Sequence, residues 1–145
     1  MLLEGAAATE RLGRALAPLI RSGDVVALYG DLGAGKTTLA RGILHGLGFE
    51  GEVASPTFPI VQPYEELRVP AWHVDLYRIG DPSELEELAL DEAHQHAALL
   101  IEWPDRLGSA LWDEALRLTL ERQGEGARRL TARVPPAWET RWPPR

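Results

Sequence analysis

The run Gly30-Asp31-Leu32-Gly33-Ala34-Gly35-Lys36-Thr37 fills every fixed position of the pattern G-x-x-x-x-G-K-[ST]. Each position has a chemical reason. Glycines let the backbone wrap closely around phosphate oxygens, so that successive N–H groups point inward as an anion nest. The loop leads into a segment that reads as a helix, whose N-terminal dipole favours negative charge. Lys36 would set its ammonium between the β- and γ-phosphates of a nucleotide, and the Thr37 hydroxyl would ligate Mg²⁺. Thr38 follows within reach of the α-phosphate. Asp31, Leu32, Gly33, Ala34 and Gly35 supply the rest of the expected nucleotide-binding loop. Lys36 is also the only lysine among 15 basic residues. A chain that uses arginine everywhere else has lysine where a phosphate loop calls for it.

Exclusion narrows the nucleotide. A guanine-reading N-K-x-D motif needs an asparagine and a second lysine, and the chain has neither. The D-x-x-G spelled by Asp105-Arg106-Leu107-Gly108 then reads as accidental, and ATP is the expected ligand. A second metal partner should be acidic and stand at the end of a neighbouring strand. Glu102 closes Ala97-Ala98-Leu99-Leu100-Ile101, a Walker B pattern with Glu in place of Asp. Asp75, in His73-Val74-Asp75-Leu76-Tyr77-Arg78, is the other candidate, because an acid within an apolar strand is costly unless paired or bound to a cation. Alternation could equally turn it to solvent. Arg78 reads as an internal arginine finger or, more commonly, as a surface ion pair. His94 and His96, two apart on a helical stretch, point to different sides and do not read as a metal pair.

The elements that position these residues follow from periodicity. Spacings of three and four at Leu12, Ala15, Leu16, Leu19 and Ile20 predict a helix from Thr9 to Arg21, with Thr9 as N-cap and Gly23 just past the end. Asp24–Tyr29 is a short apolar run ending at Gly30, the pattern of a buried strand. Residues 36–47 predict a helix stopped by Gly48. Segments 59–64 and 71–77 predict a hairpin at a sheet edge, because Pro59 and Pro63 cannot donate to a ladder. Asp81 opens a short acidic helix to about Leu88, and Asp91 starts another. Residues 116–121 and 130–134 flank Gly124-Glu125-Gly126 as a late hairpin. Residues 1–134 form one α/β ATPase domain in this reading, with a Pro/Trp-rich tail at 135–145 expected as coil. That tail is compatible with a partner-binding segment or a strap over the chain's own core.

Bulk composition agrees with this frame. Hydrophobic residues make up 45% and charged residues 26% of 145, which suits one globular domain. There is no cysteine, so disulfides, thiolate catalysis and Cys-ligated metal are excluded. No signal peptide or 18-residue apolar run is evident, and the expected address is the cytoplasm, away from any membrane. The formal charge of −7, with Arg128–Arg129 as the one basic cluster, argues against independent capture of nucleic acid.

Taken together, these segments resemble the bacterial TsaE family, also called YjeE, the P-loop ATPase of the machinery that makes threonylcarbamoyladenosine on tRNA. The resemblance rests on Thr9-x-x-Leu-Gly-x-x-Leu-Ala17, the phosphate loop through Thr38, Ser55-Pro56-Thr57-Phe58, His73-x-Asp-Leu-Tyr-Arg78 and Ile101-Glu-Trp-Pro104, in that order. It covers most of residues 9–104, and the last 40 residues match only loosely. The resemblance implies a single-domain P-loop fold with a mixed, largely parallel sheet flanked by helices, and Thr37 and Glu102 holding Mg²⁺. Asp75 would lie near the γ-phosphate, with Lys36, Asp75 and Glu102 as the catalytic set. Thr9 would lie near the base or ribose, Ser55 and Thr57 would belong to a switch-like loop, and Trp103 would pack beside the site. Such proteins act on the TsaD–TsaB pair and meet tRNA only through that complex. Slow hydrolysis of ATP to ADP would reset the complex, and a monomeric free chain is compatible with this. The competing readings are a small-molecule kinase, for which no lid or acceptor segment is evident, and a nucleotide-gated interaction module without essential hydrolysis.

Overall fold

The computed structural model describes residues 1–53 and 61–144. The expected switch-like residues Ser55 and Thr57 lie outside the described residues, as do Pro59 and the start of the expected edge strand. Among the described residues, seven strands form one mixed sheet: β1 (Leu2–Glu4), β2 (Val25–Tyr29), β3 (Val61–Tyr64), β4 (Ala71–Asp75), β5 (Ala98–Glu102), β6 (Leu116–Gln123) and β7 (Ala127–Arg133). Their order across the sheet is β1-β7-β6-β2-β5-β4-β3. The inner pairs β4–β5, β5–β2 and β2–β6 are parallel, whereas β3 and the β7–β1 pair add antiparallel margins. The helices are α1 (Gly5–Leu16), α2 (Lys36–Gly46), α3 (Pro82–Glu87) and α4 (Leu90–His94).

Two apolar layers cover the two faces of the sheet. Leu39, Ile43 and Leu44 of α2 join Leu12 and Leu16 of α1 against Val26, Leu28, Leu100 and Leu118 on one face. Leu90 and Ala93 of α4 pack with Val25, Ala27, Leu99 and Ile101 on the other. Strands β2 and β5 are therefore buried on both sides, which is why each reads as an unbroken apolar run. The contact between α1 and α2 is unusually close: a Cβ at Gly42 would strike the backbone of Glu10. That approach sets α1 beside the turn at residues 30–35, where a Cβ at Gly35 would lie 3.8 Å from Thr9 Cγ2.

Most predicted elements stand where the sequence puts them, but α1 does not. Thr9 is not an N-cap; it lies inside the helix, which starts at Gly5 directly after β1, and its hydroxyl donates back to the Gly5 carbonyl at 3.4 Å. Ala6, Ala7 and Ala8 extend the helix backwards without an amphipathic signal, because alanine is the strongest helix former. The far end also stops early. Pro18 cannot continue the hydrogen-bond ladder and the α-helix gives way to a 3-10 turn at Ala17–Leu19. Gly23 serves a separate turn before β2 rather than the helix end. Strand β1, absent from the sequence reading, is only three residues long and pairs with β7.

The C-terminal segment, expected as coil, contains a 3-10 turn at Pro136–Trp138 and returns to the core. Trp138 is fully buried. The Arg141 guanidinium stacks 3.7 Å from its ring centroid and reaches both Asp24 oxygens, at 2.6 and 3.1 Å. Residues 135–144 thus strap the body of the domain.

Candidate nucleotide site

Strand β2 ends at Tyr29 and the chain turns through residues 30–35 before α2 begins at Lys36. Gly35 caps that helix at φ +107, a conformation L side chains rarely adopt, so the loop can enter the helix with its amides turned inward. Lys36 is 5% exposed, and its ammonium donates to the Gly30 carbonyl and, at 3.3 Å, to that of Asp31. Its nitrogen also lies 3.8 Å from the centroid of the Trp103 ring, within cation–π range. Burial pulls the Lys36 pKa below the usual lysine value, and the charges of Glu102 and Asp75 oppose that fall. Trp103 adopts φ 57, a strained conformation for a bulky residue, and packs on Tyr77 with ring centroids 4.8 Å apart.

Glu102 closes the neighbouring parallel strand β5. The Thr37 hydroxyl lies 3.0 Å from both of its carboxylate oxygens. Asp75 closes β4 and stands in register with Glu102. Helix α2 and the adjacent strands β5 and β4 thus deliver Thr37, Glu102 and Asp75 to the carboxyl edge of the sheet, where open α/β sheets bind ligands. Asp75 Oδ1 accepts the Tyr77 N–H at 2.9 Å. Burial raises its pKa; the Tyr77 hydrogen bond lowers it, and the Glu102 charge again raises it.

These residues line a cavity of about 520 Å³, in the size range of small-molecule sites. Thr9, Leu32, Gly33, Gly35, Lys36, Thr37, Thr38, Asp75, Arg78, Glu102 and Trp103 all contribute to its wall. Asp31 and Ala34 belong instead to the loop's other side, towards β6, and Asp31 meets the Lys36 ammonium through its carbonyl. Arg78 is exposed at the rim and forms no ion pair among the described residues. Among those residues no group of three His, Asp or Glu could hold a metal unaided. Mg²⁺ bound with phosphates needs only one or two protein groups, so the paired Thr37 hydroxyl and Glu102 carboxylate fit it. His94 stacks on Trp112 and His96 lies edge-on to Trp72, away from any such role.

Two contributors were not read from the sequence. His73 is fully buried, and its Nε2 lies 2.6 Å from Glu102 Oε2; among the described residues its Nδ1 has no partner. It shares a strand face with Asp75 two residues on, so a histidine two before the acid in a strand was the available signal. Arg128 of β7 is the other. It lines the cavity and donates to the loop carbonyls of Ala34 and Gly33 at 2.9 and 3.2 Å. Nothing local marks it, because its place depends on strand pairing far along the chain.

Comparison with known proteins agrees with this geometry. The sequence profile of the family "Threonylcarbamoyl adenosine biosynthesis protein TsaE" matches residues 3–130. The chain belongs to the TsaE family. It is 46% identical over 114 residues to the tRNA threonylcarbamoyladenosine biosynthesis protein TsaE of Streptomyces coelicolor, covering 77% of each chain. With the TsaE of Bacillus subtilis it shares 40% identity over 124 residues, 85% of this chain and 77% of that one. The crystal structure of Bacillus subtilis YdiB superimposes with a TM-score of 0.82 at 30% identity, over 97% of this chain and 88% of that one. The TsaE match runs past residue 104 through β6 and into β7, so it includes Arg128.

Proposed function

We propose that this TsaE-family chain binds Mg-ATP and hydrolyses it slowly to support threonylcarbamoyladenosine modification of tRNA, acting on TsaD–TsaB in the cytoplasm. The observation that carries the reading is the meeting of Lys36, Thr37 and Glu102 at one end of the cavity. Loop amides and the α2 N-terminus cradle the α- and β-phosphates, and Lys36 exchanges its loop carbonyls for β- and γ-oxygens. Thr37 and Glu102 would hold Mg²⁺, which would supply positive charge to the phosphate oxygens. His73 fixes the carboxylate that Thr37 also touches. Asp75, whose half-buried carboxylate has a heightened affinity for protons, accepts a hydrogen bond from the attacking water and orients it. The acidic chain leaves tRNA to its partners. Among the described residues, no helix is long and apolar enough to cross a membrane, in keeping with this setting.

Hydrolysis of ATP by the purified chain, alone and with TsaD–TsaB, tests the reading. Stimulation by the pair that disappears in Lys36→Ala is expected. An unchanged rate without binding to the pair would overturn the partner assignment, and phosphoryl transfer to a small acceptor would turn the reading to a kinase.

A further inference from the structure

The β6–β7 hairpin grips the phosphate loop from outside. Arg128 and Arg122 face each other across the two strands. Arg122 reaches the Leu32 carbonyl at 3.4 Å, while Arg128 holds those of Gly33 and Ala34. Carbonyls of three consecutive residues are thereby drawn outward, the orientation that leaves loop amides free to face an anion. Arg128 differs from Arg122 in also lining the cavity. It is half-buried, and a Cβ placed at Gly35 would lie 3.8 Å from both Arg128 Nε and Thr9 Cγ2. Arg128 and Thr9 therefore flank the last loop residue before Lys36.

Their end of the cavity is not the carboxylate end. Strand β7 is three positions from β5 in the sheet, about 14 Å at ordinary strand spacing. Glu102 and Asp75 mark where Mg²⁺ and the γ-phosphate belong, so Arg128 faces the part of the ligand nearest the nucleoside. A guanidinium has five N–H donors, and Arg128 commits three: Nε and Nη2 to the loop, and Nη1 to the Ala127 carbonyl at 2.9 Å. Two donors remain for ligand oxygens.

We propose that Arg128 is a nucleotide-binding residue: it fixes the phosphate loop and contacts the α-phosphate or ribose, the part that ATP and ADP share. The inference rests on the Mg-ATP reading. Since both nucleotides carry that part, removing Arg128 weakens them equally, by about tenfold for a lost charge-assisted contact. Calorimetric titration of ATP and ADP into the unsubstituted chain, Arg128→Ala, Arg128→Lys and Arg129→Ala tests this, with melting curves of all four.

The expected result is an equal loss for ATP and ADP in Arg128→Ala. Arg128→Lys should recover part of it, because lysine restores charge without the planar fork. Arg129→Ala, altered at an exposed position one residue along the strand, should bind as the unsubstituted chain does. Unchanged affinity in a folded Arg128→Ala, or a loss confined to ATP, would overturn the assignment. If Arg128→Ala does not fold, equal loss in a folded Arg128→Lys supports it and full affinity there overturns it. Failure of the unsubstituted chain to bind either nucleotide would instead overturn the Mg-ATP reading, and the Arg128 assignment with it.

Discussion

The two ends of the cavity are built by different means. At the carboxylate end, Asp75 and Glu102 terminate adjacent parallel strands, and Thr37 opens the helix after a third strand. Strand register pairs the two acids and the start of α2 brings Thr37 to Glu102, with His73 locked beneath. At the opposite end, where the proposal puts the nucleoside, Thr9 comes from the interior of α1 and Arg128 from the antiparallel margin. Their meeting depends on close packing of α1 on α2 and on the hairpin folding beside the loop. A site whose parts share one local rule, an acid at the end of an apolar strand, is legible. One assembled by long-range packing is not legible from the residues themselves: the family resemblance alone points to Thr9, and nothing in the sequence points to Arg128.

That contrast can be broken by substitution, because each end should fail in its own way. The largest effect is expected from Glu102→Gln. It keeps the shape but loses the charge, and hydrolysis should fall by at least about a hundredfold while Mg-free ATP binding is nearly unchanged. Parallel loss of Mg-free binding would mean that Glu102 serves the fold more than the chemistry. Lys36→Ala removes the partner of the β- and γ-oxygens and should weaken ATP by about a hundredfold and ADP by less, measured by calorimetry. His73→Leu tests the buried support: it leaves Glu102 without one of its partners and should cost about 2 kcal/mol in denaturant unfolding, with His73→Gln recovering part. Equal stability of the three proteins would remove His73 from the account.

The smallest effect sharpens the carboxylate end through pH. Asp75 has a raised pKa because burial disfavours its charged form. The folded state therefore holds that proton more tightly than the unfolded state, whose value is near 3.8, and folding stability falls as pH rises through the interval above it. Asp75→Asn removes this loss. It should melt a few degrees higher than the unsubstituted chain at pH 7 and no higher near pH 3, and a difference that persists in acid would assign the gain to packing.

Strands β2 and β5 could be read from the sequence because burial on both faces leaves an apolar run with little else to confuse it. The hairpins followed from turn residues, and α3 from its Asp81 cap, whose carboxylate accepts the Ser83 N–H at 3.0 Å. Helix α1 was misplaced at both ends because alanines carry propensity without periodicity and Pro18 interrupts a pattern that continues beyond it. Strand β1 was too short to show alternation. Trp138 and Arg141 read as tail because only the folded core reveals the pocket they fill. Arg128 was recorded as a charge, since no pattern near it says which residues strand pairing will bring alongside.

The central claim is that Thr37 and Glu102 make this a Mg-nucleotide site. Calorimetric titration of ATP with Mg²⁺ and then with a chelator, in the unsubstituted chain and in Glu102→Gln, tests it most directly. The account predicts that Mg²⁺ tightens ATP binding by about tenfold in the unsubstituted chain and leaves Glu102→Gln nearly unaffected. Absent binding, or Mg²⁺ dependence that survives Glu102→Gln undiminished, would contradict it.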